Sequence, residues 1–219
     1  FFVLIIFIII IGLVNLSIFN QSYNPIIVPE EFTEEITNKY FSMPIGKKMI
    51  YEGQTEEGLE RTEVYVTNEE RIINGIKVRV VWDRVWLDGE LIEDTKDFYA
   101  QHKNGDVWYF GEDSKEIVDE KIVSRKGSWQ YGIDGAKPGI IMKANPIIGE
   151  IYKQEYYRNV AEDMGKILSK SSYISSELGT FKGCIKTLDF TPLELNVEEN
   201  KYYCKEVGGV VLEVNLEND

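Results

Sequence analysis

Apolar and polar residues alternate along most of this chain with the two-residue period of a half-buried strand. Short turn dipeptides cut that alternation into runs. The densest stretch covers 72–110, where Asn74-Gly75, Asp88-Gly89 and Asn104-Gly105 separate runs rich in Val, Ile, Trp, Tyr and Phe. Asn-Gly and Asp-Gly tolerate the positive φ that both central residues of a type I′ turn require, so three tight hairpins are expected. β-branched and aromatic residues between them favour a pleated sheet. Within 76–87, Ile76, Val78, Val80 and Trp82 share one face, with Lys77, Arg79 and Asp83 on the other. The apolar parity then moves to Val85 and Leu87, which predicts a bulge near Asp83-Arg84.

The same alternation recurs on both sides. Residues 47–73 read as a strand, a turn and then a long strand or a bent pair of strands. Residues 106–129 read as a short strand and a further hairpin. The stretch 132–150, GIDGAKPGIIMKANPIIGE, holds four glycines and two prolines and reads as a long structured loop. Such loops are often where a fold carries its function. Strands resume from 150 to the end. The pattern therefore predicts an all-β fold: one antiparallel meander over 47–219, curved into a barrel or half-barrel, which would remove exposed edges.

Two segments precede that domain. Residues 1–19, FFVLIIFIIIIGLVNLSIF, are broken only by Gly12, Asn15 and Ser17. They read as an apolar helix serving as a signal peptide or anchor, through which membrane contact or self-association is expected. No Cys follows the run, so a lipid-modified cysteine is not expected there. A pilin-like helix fits less well, because Ile5 stands where many pilins carry glutamate, and Pro25 and Pro29 would stop its continuation. Residues 20–46 read as a linker, with Phe32, Ile36 and Tyr40 spaced for a short amphipathic helix.

Composition narrows the function classes. The chain has 219 residues and a net charge of −13, which argues against a nucleic-acid partner, since little basic surface is expected to offset phosphate repulsion. There is one histidine, His102, and no HExxH, CxxC, GxSxG or GxxxxGK[ST] pattern. No cofactor is expected. The candidate ligand-binding residues are the aromatics Trp82, Trp86, Trp108, Tyr109 and Trp129, which on a concave sheet could hold an apolar small molecule and otherwise belong to the core. Paired carboxylates are the remaining chemistry. Glu112-Asp113 is a candidate metal pair, and Asp94, Asp97 and Glu162-Asp163 are further acidic positions. Such pairs could hold Ca²⁺ or run glycoside hydrolysis, or simply cap turns.

The cysteines can be placed by register. A hairpin centred near Glu194 sets residues whose numbers sum to 388 opposite each other, Cys184 and Cys204 among them. Directly opposed Cβ atoms lie about 4.5–5.5 Å apart, near what a disulfide needs. The alternative is two buried, reduced cysteines.

Several blocks resemble a family of secreted, β-rich bacterial and archaeal proteins: VWLDGELIEDT, GDVWYFGEDSKE, DGAKPGIIM, GTFKGCIKT and KYYCKEVGGVV. Together they span most of the chain after residue 46. The resemblance implies export and a single β domain, and by looser similarity a curved sheet like those of lipocalins and lipoprotein carriers. It brings no site residues with it. Cys204 departs from the family pattern, which usually has a small residue such as Ala there. Three functions are expected in this order: an extracytoplasmic, non-enzymatic protein binding an apolar or lipid-like ligand; a cell-surface assembly subunit using the apolar N-terminus; a carboxylate-based hydrolase.

Overall fold

The structure, a computed structural model, describes residues 23–216. The apolar segment 1–19 lies outside the described residues. A 3₁₀ turn, Pro29–Glu31, leads into three two-residue strands, β1 (Phe32–Thr33), β2 (Thr37–Asn38) and β3 (Phe41–Ser42). A meander follows: β4 (Lys48–Gln54), β5 (Leu59–Ile73), β6 (Ile76–Leu87), β7 (Glu90–His102) and β8 (Val107–Asp113). Shorter pieces come next: β9 (Glu116–Val118), β10 (Lys121–Ser124), β11 (Trp129–Gln130), β12 (Lys137–Met142), β13 (Ile151–Lys153) and β14 (Glu155–Tyr156). Four strands close the chain: β15 (Met164–Ser176), β16 (Gly179–Thr191), β17 (Glu194–Cys204) and β18 (Gly209–Leu216).

The fold is all-β and antiparallel, with a strongly curled half-barrel. Two of the three expected turns have the type I′ signature, with positive φ at Asn74 and Gly75 and at Asp88 and Gly89. At the third only Gly105 has positive φ, and its N–H bonds His102 O, so this is a longer turn closed by a left-handed glycine.

The strands form two main sheets instead of one continuous bent sheet. The first runs β14-β12-β8-β7-β6-β5-β4, and the second β13-β15-β16-β17-β18. Only Gln154 separates β13 from β14, yet they pair with different sheets, so the chain crosses between sheets at that residue. On the opposite side Tyr51 of β4 donates to Val210 O at 3.1 Å, and Lys47 Nζ donates to Val207 O and Gly208 O. The inner faces share one core: Val66, Val81, Tyr99, Tyr109 and Trp129 from the first sheet meet Tyr152, Ile167, Ile185 and Tyr203 from the second. A second cluster, Val78, Val80, Phe98, Ala100 and Phe110, covers the other face of the first sheet.

Two local expectations change. No bulge falls at Asp83-Arg84, because pairing between β5 and β6 is continuous from Leu87 to Val81. The irregularities lie in β5 between Val66 and Glu70, and opposite Val85-Trp86 in β7. Centrally, β6 is buried on both faces, Val78 through Val81 in succession, so apolar parity there does not report register. The helix expected over Phe32–Tyr40 is also absent. Phe32 packs on the cluster around Phe110, whereas Ile36, Phe41 and Met43 are buried in the core on the opposite face. A single helix turn cannot serve both faces of a sheet.

Candidate functional site

Strand alternation separates the five candidate aromatics. Tyr109 points inward, stacks on Tyr99 at 4.8 Å and meets Trp129 edge-on at 5.4 Å. Both Tyr109 and Trp129 are buried core residues. Trp82, on the other face, carries the Arg84 guanidinium over its ring at 3.1 Å. Trp86 lies farther along β6, opposite Arg61. Trp108 lines an open cavity.

That cavity is a cleft of about 360 Å³ lined by Tyr23, Trp108, Ile140, Ile151, Tyr152 and Met164, with Lys143, Glu150 and Lys153 at its polar positions. Register builds it. Ile140 of β12 sits opposite Trp108 of β8, and Met164 of β15 opposite Lys153 of β13, so each sheet gives one wall. Tyr23 completes it: its hydroxyl donates to Pro138 O at 2.9 Å, and its ring meets Tyr156 edge-on. Lys143 is held by Glu150 at 2.6 Å. Lys153 Nζ lies 4.7 Å from the Tyr156 ring centroid and has no carboxylate partner among the described residues. The expected loop at 132–150 thus supplies part of the cleft, although β12 occupies its centre.

Behind the cleft, the interface between the sheets holds a layer of carboxyls. Asp97, Glu112 and Trp129 are successive partners across β7, β8 and β11. The Tyr109 hydroxyl lies 2.6 Å from Asp97 Oδ1 and 2.8 Å from Glu112 Oε2. A hydroxyl has one proton to donate, so both contacts are hydrogen bonds only when one carboxyl is itself protonated and donates back. The electrostatics agree. Burial, aided by the Glu155 charge, pushes Glu112 up to about 8, and burial with Asp163 pushes Glu155 up to about 8. Burial also raises Asp97 and Asp83, each reinforced by neighbouring carboxylates. Trp129 Nε1 donates to Glu155.

The second sheet adds a smaller polar recess of about 140 Å³, lined by Gln154, Asp163, Asp189, Glu199 and Lys201 among others. Lys201 lies 2.6 Å from Glu199, 3.7 Å from Glu213 and 3.9 Å from Asp189. Burial would lower this lysine, but the three carboxylates outweigh it and hold it above the usual lysine range. Gly165 leaves room for the Tyr152 ring and for Gln154, since a Cβ there would sit 2.8 Å from Tyr152 Cζ and 3.0 Å from Gln154 Nε2.

Glu112 and Asp113 are adjacent on one strand and so point to opposite faces. Glu112 turns in to Tyr109, while Asp113 turns out to Arg125 at 2.6 Å. Among the described residues no group of three or more His, Cys, Asp or Glu is arranged to hold a metal ion. His102 Nε2 lies 2.8 Å from Glu31 Oε2. Cys184 and Cys204 are joined in a disulfide with Cα atoms 4.4 Å apart, packed with Ile174 and Phe181 on the second sheet. The pairing Asp97–Glu112 and the inward positions of Asp83 and Glu155 were missed from sequence. Alternation gives no signal for them, because the centres of β6 and β7 are buried on both faces.

No protein-family model matches the chain, and no curated protein matches it. Two solved structures are similar. One is an exported-protein candidate with a YmcC-like fold from Bacteroides fragilis, 12% identical, covering 81% of this chain and 91% of that one, with a TM-score of 0.43. The other is a lipoprotein candidate from Parabacteroides distasonis, 12% identical, covering 82% of this chain and 91% of that one, with a TM-score of 0.40.

Proposed function

We propose that this chain is an extracytoplasmic, non-enzymatic binding protein that takes a small amphiphile, with an apolar body and an anionic end, into the Trp108 cleft. The observation that carries the reading is the pairing of an apolar wall, Trp108, Ile140, Ile151 and Met164, with a cation, Lys153, that no described carboxylate neutralises. Concave, largely apolar sites with a few placed polar groups are the usual form of small-ligand sites. A volume of about 360 Å³ is at the low end for such sites, which favours a single short chain over a multi-chain lipid. The Cys184–Cys204 bridge and the apolar 1–19 segment support an oxidising, extracytoplasmic location. The carboxyl layer serves the fold in this reading: Asp97 and Glu112 are engaged by Tyr109 between the sheets and do not line the cleft.

The test is a titration of decanoate and of decylamine, followed by tryptophan fluorescence. Decanoate should saturate and decylamine bind more weakly. Lys153→Ala should remove that preference. Ile151→Trp, at a half-exposed lining position, should block both without lowering the melting temperature. No saturable signal from either amphiphile would refute the reading.

A further inference from the structure

The rim of the cleft carries exposed aliphatic side chains interspersed with lysines. The turn Ile147–Glu150, closed by Glu150 N–H to Ile147 O at 3.1 Å, leads directly into the cleft wall at Ile151. It presents Ile147 and Ile148, 66% and 62% exposed, and Ile151 itself is 52% exposed. Across the cleft, Pro25 lines the wall and the next residue, Ile26, is 91% exposed. Lys143 and Lys153 border the cleft, and Lys166 stands opposite Ile151 in the β13–β15 ladder. The cleft lining thus holds two lysines and one carboxylate, Glu150, which pairs with Lys143, and Lys166 stands beside it, in a chain of net charge −13. Exposed aliphatic groups interspersed with lysines are the chemistry of a surface that enters the headgroup region of an anionic bilayer.

The chain path points the same way. The apolar run ends at Phe19, and Tyr23 already forms part of the cleft wall. Four residue steps span at most about 14 Å at full extension. An anchor formed by residues 1–19 would therefore join the domain within about 14 Å of this cleft wall.

We propose that the rim formed by Ile26, Ile147, Ile148, Ile151, Lys153 and Lys166 lies against an anionic phospholipid bilayer, so that the cleft opens toward the membrane and exchanges its amphiphile with it. This rests on the ligand reading above only for what the cleft exchanges; the docking surface stands on the rim itself. Isoleucines at the turn tip enter between headgroups, and the lysines meet lipid phosphates.

The experiment uses the full chain in nanodiscs of phosphatidylcholine with phosphatidylglycerol, and in discs of phosphatidylcholine alone. An NBD fluorophore is placed through Ile148→Cys, and in a control through Leu178→Cys, which is 78% exposed in the β15–β16 hairpin. Both positions are exposed, so neither substitution disturbs the core. The label at 148 should be blue-shifted and at least about twofold brighter than the label at 178 in anionic discs, with a smaller gain in neutral discs. Equal, water-like emission at both positions would overturn the proposal. Shielding at 148 that grows with protein concentration and ignores lipid charge would also overturn it, since it would mark a contact between copies. Decanoate binding with water-like emission at 148 removes the membrane surface and leaves the ligand reading; membrane burial of 148 without decanoate binding does the reverse.

Discussion

Replacing Glu112 with Gln should make this protein more stable in mild alkali and leave it almost unchanged in mild acid. The reason is the position of Glu112 between the sheets, where burial and the Glu155 charge carry its pKa from 4.5 to about 8. In the unfolded chain the carboxyl ionises near its usual value. Between about pH 4.5 and about 8 the folded state therefore holds a proton that the unfolded state has lost. Folding stability falls by roughly 1.4 kcal/mol per pH unit across that window and is fully present only below it. Over the whole window a single carboxyl loses at most ~5 kcal/mol. Relaxation around the ionised group and the shared charge of Glu155 reduce that, so about 2 kcal/mol is the working figure. Gln keeps an acceptor for the Tyr109 hydroxyl and has no charge to bury. The groups shifted the other way, Glu31 beside Lys103 and His102 and Glu63 beside Lys48 and Arg61, titrate below the usual carboxylate range and act only in stronger acid. Thermal unfolding followed by circular dichroism at pH 5 and pH 8.5 checks this. The wild-type chain should melt lower at pH 8.5, and Glu112→Gln should raise that melting temperature by roughly 4–8 °C. A wild-type melting temperature that holds or rises from pH 5 to 8.5, with the same slope in the variant, would refute a protonated carboxyl layer.

Reduction of the Cys184–Cys204 bridge, or Cys204→Ala, should lower stability by roughly 3 kcal/mol, since it reopens a loop with a sequence separation of 20; urea unfolding with and without reductant measures it. Gly139→Ala and Gly165→Ala should differ in severity. A Cβ at Gly139 would run into the backbone carbonyl of Gln154, at the crossing between sheets, whereas at Gly165 it would meet the side chain of Tyr152, which can turn. We expect about 1–3 kcal/mol lost for Gly165→Ala and more for Gly139→Ala by the same unfolding assay, and the reverse order would mean the crossing is not rigid.

Much of the architecture was written in local chemistry. Asn74-Gly75 and Asp88-Gly89 fix their hairpins because few other residue pairs accept two positive φ values in succession. The β16–β17 register was also legible, though by a route the chain reaches differently. The tight turn lies at Pro192-Leu193, with Thr191 opposite Glu194, and an irregularity after it restores the sum of 388 at Phe190–Glu198 and Ile185–Tyr203. The division into two sheets was not legible. Which sheet β13 or β14 joins depends on which strand edge offers unpaired N–H and C=O groups nearby, and that is settled by long-range contacts. The spacing of Phe32, Ile36 and Tyr40 satisfied a helix equally well, and only the presence of two apolar faces on one sheet decides against it.

The carboxyl layer was hidden for a related reason. An acidic residue on an alternating strand ordinarily marks the wet face, and the alternation sets Asp83 on the face of Lys77 and Arg79. Yet Val78 to Val81 and Asp97 to Ala100 are each buried in succession, so neither β6 nor β7 has a wet face at its centre. On strands covered from both sides the polar positions of the alternation must still go somewhere, and here they meet each other. Tyr109 can bond two of them at once only at the cost of one retained proton. Retaining that proton limits the pair to a single buried charge instead of two, and it ties the seam between the two sheets to the pH outside.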